Sequence, residues 1–376
     1  MYFKKLQNEL FLIYKKIKPI FFIKTLLSLG SIFYFLGYKT RLVLYTLGIL
    51  KTKKLSPIVI SIGNLTCGGT GKTPLTIETA RYFITKGYKV AILSRGYKRR
   101  ITIKKNILVS DGEEILADYE TSGDEPYLIA KSVPKAIVLS GTDRIQAAQS
   151  AIKLKAQILI LDDGFQYLKL YRNENILVLN GEKPFDNNYL LPAGELRELP
   201  DSIERATAIV LSNPKSTELK INVLNKIKRY TDSKPIVEMT YKIKKLKGIN
   251  IVKTINPSEI KDKRIIAFSG IGNPSLFNNS LTEAGLNIFE HIIYADHYDY
   301  DFKDLNQIID AAKKQNIEDI VTTEKDAVKI EYLCESVPIT FWHSVLEVTW
   351  NTSNPFKEIL TSINIPEKHT EVKANQ

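Results

Sequence analysis

The stretch "PIVISIGNLTCGGTGKTPLTI", residues 57–77, decides the fold. Its first seven residues are mostly apolar and β-branched, the pattern of a short strand buried on both faces. A glycine-rich loop follows, then a segment predicted to be helical from about Lys72 to Lys86 and ended by Gly87. Strand, loop and helix start make a phosphate cradle, because backbone N–H groups and the helix dipole both favour an anion there. Gly68, Gly69 and Gly71 keep the loop free of bulk, and Thr70 completes the turn. Lys72 offers a positive charge to the β- and γ-phosphates of ATP, and Thr73 a hydroxyl to Mg²⁺. Pro74 falls in the first helical turn, where it is tolerated. The strict pattern G-x-x-x-x-G-K-[ST] is not met, since Thr66 stands where its first glycine belongs. A plain glycine-rich turn is the bland alternative, and the two flanks argue against it.

Working outward, apolar runs recur at 89–97, 135–141, 157–165, 175–181 and 206–213, with helical stretches between them. Such alternation predicts an α/β fold, a doubly wound parallel sheet of the P-loop kind. The nucleotide-binding domain is expected over 55–215. The lysine-rich texture of 216–262 reads as linker strands, and "RIIAFSGIGNP" (264–274) opens a second, smaller α/β domain over 263–365. A polar tail, 366–376, closes the chain.

The chain has 376 residues and a formal net charge of +12. Residues 1–54 hold eleven Lys and Arg against one acid, Glu9, so this segment carries +10 of that charge. It is also the most apolar part of the chain, which points to a lipid surface rather than to nucleic acid. Its longest uncharged run, Thr25–Tyr38, has 14 residues, short of the about 20 that a spanning helix needs. A helix or helical pair in the membrane interface, its lysines and arginines meeting anionic headgroups, is the expectation; a single tilted span or a buried core hairpin is the alternative. Ser56 onward offers no cleavage site of the secretory kind. The two cysteines, Cys67 and Cys334, have no disulfide or metal spacing and suggest a reducing compartment.

Three further stretches carry chemistry. "ILILDDGFQ" (158–166) ends a strand in two carboxylates, Asp162 and Asp163, placed to hold Mg²⁺ opposite the loop. "SGDEPYLIA" (122–130) puts Asp124 and Glu125 at a helix start. There Asp124 is either a cap or the acceptor of a proton from an attacking hydroxyl. "YADHYDYDF" (294–302) sets His297 beside Asp296, either structural or catalytic. In "LLPAGELRELP" (190–200), Arg197 and Glu198 offer charge on what is otherwise a solvated turn.

The ordered set "GNLTCGGTGKTP", "SRGY", "GDEP", "DRIQAA", "LDDGFQ", "LLPAGELRE" and "DHY", spread over about residues 10–345, resembles the tetraacyldisaccharide 4′-kinases of lipid A biosynthesis. In that family the loop reads G-N-x-x-x-G-G-x-G-K-T, so the resemblance adds Gly63 and Asn64 to the nucleotide contacts. It implies transfer of the γ-phosphate of ATP to the 4′-hydroxyl of a tetraacylated disaccharide 1-phosphate, giving lipid IVA. It implies Lys72 and Thr73 at ATP and Mg²⁺, Asp162 and Asp163 near the metal, and Glu198 as a further metal or nucleotide contact. Asp124 becomes the base, helped by His297, and Arg95, Glu125 and Gln166 become lipid or phosphate contacts. The partners implied are the lipid disaccharide and the inner membrane's cytoplasmic face, with no obligate protein partner. The chain departs from the family where many members read "DHH": here the second position is Tyr298. A rival reading is a partitioning-type ATPase switch, but its signature lysine is replaced by Cys67.

Overall fold

A computed structural model describes residues 21–96, 106–214, 217–334 and 337–364. The first twenty residues of the basic segment and the expected polar tail lie outside the described residues. The chain divides into a larger unit, Phe21–Thr240 with Trp350 onward, and a smaller one, Tyr241–Thr349.

In the larger unit, helix α1 (Phe21–Thr46) precedes β1 (Ile58–Gly63), α2 (Lys72–Thr85), β2 (Val90–Ser94) and β3 (Ile107–Asp111). Then come α3 (Asp124–Ser132), β4 (Ile137–Ser140), α4 (Arg144–Lys153), β5 (Ile158–Asp162), β6 (Glu174–Asn180) and β7 (Ala208–Ser212). Helix α5 (Thr217–Lys228) leads to β8 (Ile236–Gly248), which begins in this unit and ends in the other. The strand order is β8–β7–β6–β1–β5–β2–β4–β3. All these pairs are parallel except β3 with β4. The apolar runs seen in the sequence form these strands because both faces are covered: every residue of β2, β4, β5 and β7 is buried. Ala147, Ala148 and Ala151 of α4 pack with Val59, Leu93, Leu139 and Leu159, small side chains letting the helix approach the strands closely.

The segment 216–262, expected as linker strands, carries a helix, α5, in addition to strands. Val223 and Ile227, one turn apart, join Leu177, Leu179, Ile209 and Leu211 in a buried cluster. Burial of that pair outweighs the solvated lysines on the rest of the helix.

Helix α1 is apolar on two sides. Tyr34, Phe35 and Tyr38 pack against the cluster just named. Leu26, Leu29, Ile32, Phe33, Leu36 and Val43 are exposed. No helix among the described residues is long and apolar enough to cross a membrane.

The smaller unit, Tyr241–Thr349, alternates strands and helices and starts earlier than the expected 263–365. Its elements are the end of β8, β9 (Thr254–Ile255), β10 (Arg264–Ser269), α6 (Pro274–Glu283), β11 (Asn287–Ile293), α7 (Phe302–Lys314), β12 (Asp319–Thr322), α8 (Glu324–Ile330) and β13 (Thr340–Trp350). Strand order is β11–β10–β12–β13–β8, with β11, β10, β12 and β13 parallel. Side chains of β10 alternate as a two-sided strand requires. Ile266 and Phe268 meet Leu305, Ile308 and Ile309 of α7, while Ile265 and Ala267 meet Phe277 and Leu281 of α6.

Candidate active site

The register of three parallel strands builds the floor of the site. Ile62 of β1 lies opposite Asp162 of β5, and Leu93 of β2 opposite Leu161, so the C-terminal ends of β1, β5 and β2 stand side by side. Parallel sheets place ligand sites at this edge, where loops leave the strands.

From β1 the chain enters the glycine loop through Gly63. A Cβ there would lie 2.6 Å from the Cβ and backbone N of Phe165, so only glycine lets the two strand ends approach. That is the physical reason for the first residue of the extended signature. Asn64 is fully buried, and its Nδ2 donates to Thr70 Oγ1 (3.0 Å), tying the start of the loop to its end. Gly71 caps α2 with a φ of 86°, a left-handed conformation that favours glycine. A Cβ on Gly69 would meet nothing within 4 Å, so the cradle is open at that point. Lys72 and Thr73 are the first residues of α2.

The two carboxylates at the end of β5 have different surroundings. Asp163 takes a φ of 52° and turns toward cations. Arg197 Nη1 donates to both its oxygens, at 2.9 and 2.7 Å, and Lys72 Nζ lies 3.7 Å from Oδ1. Burial pushes the Asp163 carboxyl up, but Lys72 and Arg197 outweigh burial and hold it well below the usual range. Asp162 points the other way, accepting from Thr76 Oγ1 (3.2 Å) and Ser94 Oγ (3.3 Å). Burial, then the charges of Glu125 and Asp163, push its pKa up to about 6. Beneath both, the buried Arg144 guanidinium donates to the backbone carbonyls of Asp162 and Asp163. It fixes the turn in which the two side chains diverge.

A carboxyl whose pKa rises on folding takes up a proton on folding, so holding Asp162 charged costs stability above about pH 6 and the cost fades below it. Asp162→Asn is expected to raise the stability of the nucleotide-free protein at pH 7.5 by roughly 1–3 kcal/mol. The gain should shrink to roughly 0.5 kcal/mol at pH 4, where the unfolded-state carboxyl, with its ordinary value of 3.8, regains its proton as well. Thermal melts of both proteins at the two pH values check this, and an equal effect at both would contradict it.

The other expected site residues are found as follows. Asp124 starts α3 and is 7% exposed. Its Oδ1 accepts from the Glu125 N–H (2.9 Å), so it does some of the capping work considered above. Glu125 is close enough to Asp162 to raise its pKa. Arg95 follows Ser94 at the end of β2 and lowers the pKa of Arg144 through like charge, after burial. Gln166 Nε2 donates to the Asn64 carbonyl (3.0 Å), holding the loop. Glu198 is bound to Arg205 (2.5 Å), whose guanidinium covers the Phe165 ring. Among the described residues no three His, Cys, Asp or Glu side chains gather as a metal-binding group. The larger unit thus brings together the loop, Asp162, Asp163 and Glu125.

In the smaller unit His297 has a φ of 57°, its N–H donates to the Gly270 carbonyl (2.9 Å), and its Nε2 lies 3.0 Å from Lys325 Nζ. Asp296 Oδ1 is 4.0 Å from the same nitrogen. Tyr298, where many family members carry a second His, donates to Asp304 Oδ1 (3.1 Å) and packs against Tyr294 and Tyr300. Here the second position has a packing role.

Two arginines have roles that no local pattern in the sequence specifies. Arg144, inside "DRIQAA", could be placed at a helix start, but nothing local signals that it reaches the carbonyls at the end of β5. Arg197, expected to offer charge on a solvated turn, instead grips Asp163 from 34 residues away.

Known proteins resemble the chain over nearly its whole length. The model of the tetraacyldisaccharide-1-P 4′-kinase family matches residues 23–364. A tetraacyldisaccharide 4′-kinase of Syntrophus aciditrophicus is 38% identical over 314 residues, covering 81% of this chain and 84% of that protein. One from Geobacter metallireducens is 32% identical over 339 residues, covering 90% and 97%. The crystal structure of an "apo" form of LpxK from Aquifex aeolicus in complex with ATP superposes with a TM-score of 0.72 at 32% identity, covering 90% of this chain and 98% of that one. These matches do not favour the ATPase switch. The chain belongs to the tetraacyldisaccharide-1-P 4′-kinase family.

Proposed function

We propose that this chain carries out its family's phosphotransfer as an in-line displacement at a lipid surface. The γ-phosphate of ATP passes to the 4′-hydroxyl of a tetraacyldisaccharide 1-phosphate, and ADP leaves. One observation carries the reading most: an open glycine loop, Lys72 and a divided carboxylate pair share one strand edge. The related LpxK from Aquifex aeolicus is in complex with ATP, which supports ATP as the donor here.

Backbone N–H groups of Gly68–Gly71 and the start of α2 hold the triphosphate. Lys72 neutralises charge that builds on the transferring group. Asp124 takes the proton of the 4′-hydroxyl as that oxygen attacks phosphorus, and His297 assists. The donor set fits Mg²⁺, which commonly uses one or two carboxylates together with substrate phosphates. Asp163 is already satisfied by two cations, so Asp162 and Thr73 are the residues to hold the metal. Bound there, Mg²⁺ would neutralise charge between the β- and γ-phosphates. Glu198, committed to Arg205, is left out of that set. Arg95 and Glu125 contact the lipid or its phosphate, and Gln166 supports the loop.

The exposed apolar side of α1, with Lys39 and Arg41 on the same helix, rests on the inner leaflet at its cytoplasmic face. Incubation with γ-labelled ATP and the disaccharide lipid tests the proposal. Label in the lipid is expected; release of labelled phosphate alone would favour the switch and sink the kinase mechanism.

A further inference from the structure

The inner side of α1 is bolted to the nucleotide loop through one short segment, residues 190–197. Ser31 Oγ donates to the Leu190 carbonyl (2.8 Å) and accepts from the Ala193 N–H (3.1 Å). Gly30 lies against Pro192, where a Cβ would come 3.0 Å from Cγ. Tyr34 Oη donates to the Arg197 carbonyl (2.9 Å). The same Arg197 donates its N–H to the Leu65 carbonyl (2.7 Å), and the Glu195 carbonyl accepts from the Cys67 N–H (2.8 Å). The loop is therefore paired, strand-like, to a segment that α1 holds from the other side. The Arg197 side chain completes the link by gripping Asp163 beside Lys72.

A second route runs parallel to the first. Arg41 Nη2 donates to the Gln166 carbonyl (2.8 Å), Gln166 Nε2 to the Asn64 carbonyl (3.0 Å), and Asn64 Nδ2 to Thr70 Oγ1 (3.0 Å). Both routes start on a helix whose opposite side exposes six large apolar residues, Phe33 being 75% accessible. In water that side gains nothing from order. On a lipid surface its burial restrains the helix, and the hydrogen bonds on its inner side are then held closed.

We propose that Tyr34 and Ser31 are positioning residues that couple lipid contact by α1 to the order of the nucleotide loop, so that a lipid surface strengthens nucleotide binding before any disaccharide arrives. The inference rests on the loop being the ATP site. The mechanism is a shared ordering cost: a helix already restrained by lipid leaves less disorder for the nucleotide to remove. Coupling of this kind is reciprocal, so nucleotide must tighten lipid binding by the same factor.

The test uses the full chain, a non-hydrolysable ATP analogue with Mg²⁺, and vesicles of phosphatidylethanolamine and phosphatidylglycerol containing no disaccharide lipid. Wild-type protein is expected to bind the analogue about fivefold more tightly with vesicles than without. The analogue is expected to increase vesicle binding, measured by sedimentation, by the same factor. In Tyr34→Phe and Ser31→Ala the gain should fall below about twofold. Vesicle binding without nucleotide should stay at the wild-type value, and the thermal midpoint should fall by no more than a few degrees. A merely structural role would lower affinity equally with and without vesicles. Equal wild-type affinity in both conditions, or an undiminished gain in both variants, overturns the proposal. Failure to bind the analogue under either condition removes the nucleotide reading itself and the coupling with it. Failure of lipid phosphorylation with the coupling intact would touch only the kinase mechanism.

Discussion

Replacing Lys72 with Ala should lower the rate of phosphate transfer at least ~10²-fold, and Asp124→Ala should do the same. The two losses have different causes and separate in kinetics. Lys72 lies 3.7 Å from Asp163 Oδ1 in a site whose other cation, Arg197, binds that carboxylate with two hydrogen bonds. Its removal leaves Asp163 paired, so the fold should persist while charge on the phosphates goes unneutralised in both ground and transition states. Both kcat and the KM for ATP should suffer. Asp124 is buried at the start of α3, where its Oδ1 accepts from the neighbouring Glu125 N–H. Its loss should reduce kcat with nucleotide affinity near wild type, because only the step that moves a proton needs it. Initial rates at varied ATP, with folding verified by circular dichroism, measure both. Turnover of Asp124→Ala within about threefold of wild type would remove Asp124 as the base.

Asp326→Ala should destabilise the smaller unit by about 3–5 kcal/mol. Asp326 is fully buried at the start of α8. Its Oδ1 faces Lys329 Nζ at 3.0 Å, and its Oδ2 accepts from the Gly270 N–H (3.0 Å) and Thr323 Oγ1 (2.7 Å). Lys329 is only 4% exposed, above the Tyr300 ring. Removing the carboxylate takes a counter-charge from beside a buried ammonium and the acceptor from a buried N–H, and water cannot easily replace either. Adding Lys329→Met to Asp326→Ala should recover a good part of the loss, since the buried ammonium is then gone. Urea titration of the three proteins checks both statements. A change under about 1 kcal/mol for the single variant would mean that solvent reaches the pair.

How much of this was legible in the sequence depends on how local the determining forces are. The strands of the larger unit were readable because burial on both faces demands unbroken apolar runs, as in Ile58–Gly63 and Ile158–Asp162. The loop was readable because Gly71 must adopt a left-handed φ and Lys72 must open a helix. Helix α5 was missed although its signals were present: Glu218 in its first turn, Lys226 and Lys228 in its last, and an apolar pair at Val223 and Ile227. Lysines on its outer side hid that pattern. The inequality of Asp162 and Asp163 was not legible at all. It arises from burial and Glu125 around Asp162 and from Lys72 and Arg197 beside Asp163, groups far apart in the chain. The same holds for Arg144, whose value lies in carbonyls that only the folded sheet edge brings to it.

The most direct measurement is a crystal structure of the chain with a non-hydrolysable ATP analogue, Mg²⁺ and the disaccharide lipid. The account predicts the Asp124 carboxylate within about 2.6–3.2 Å of the 4′-oxygen, directly or through one water, with that oxygen in line with the γ-phosphorus. A 4′-hydroxyl held by some other side chain, with Asp124 still turned to its own helix start, would contradict it.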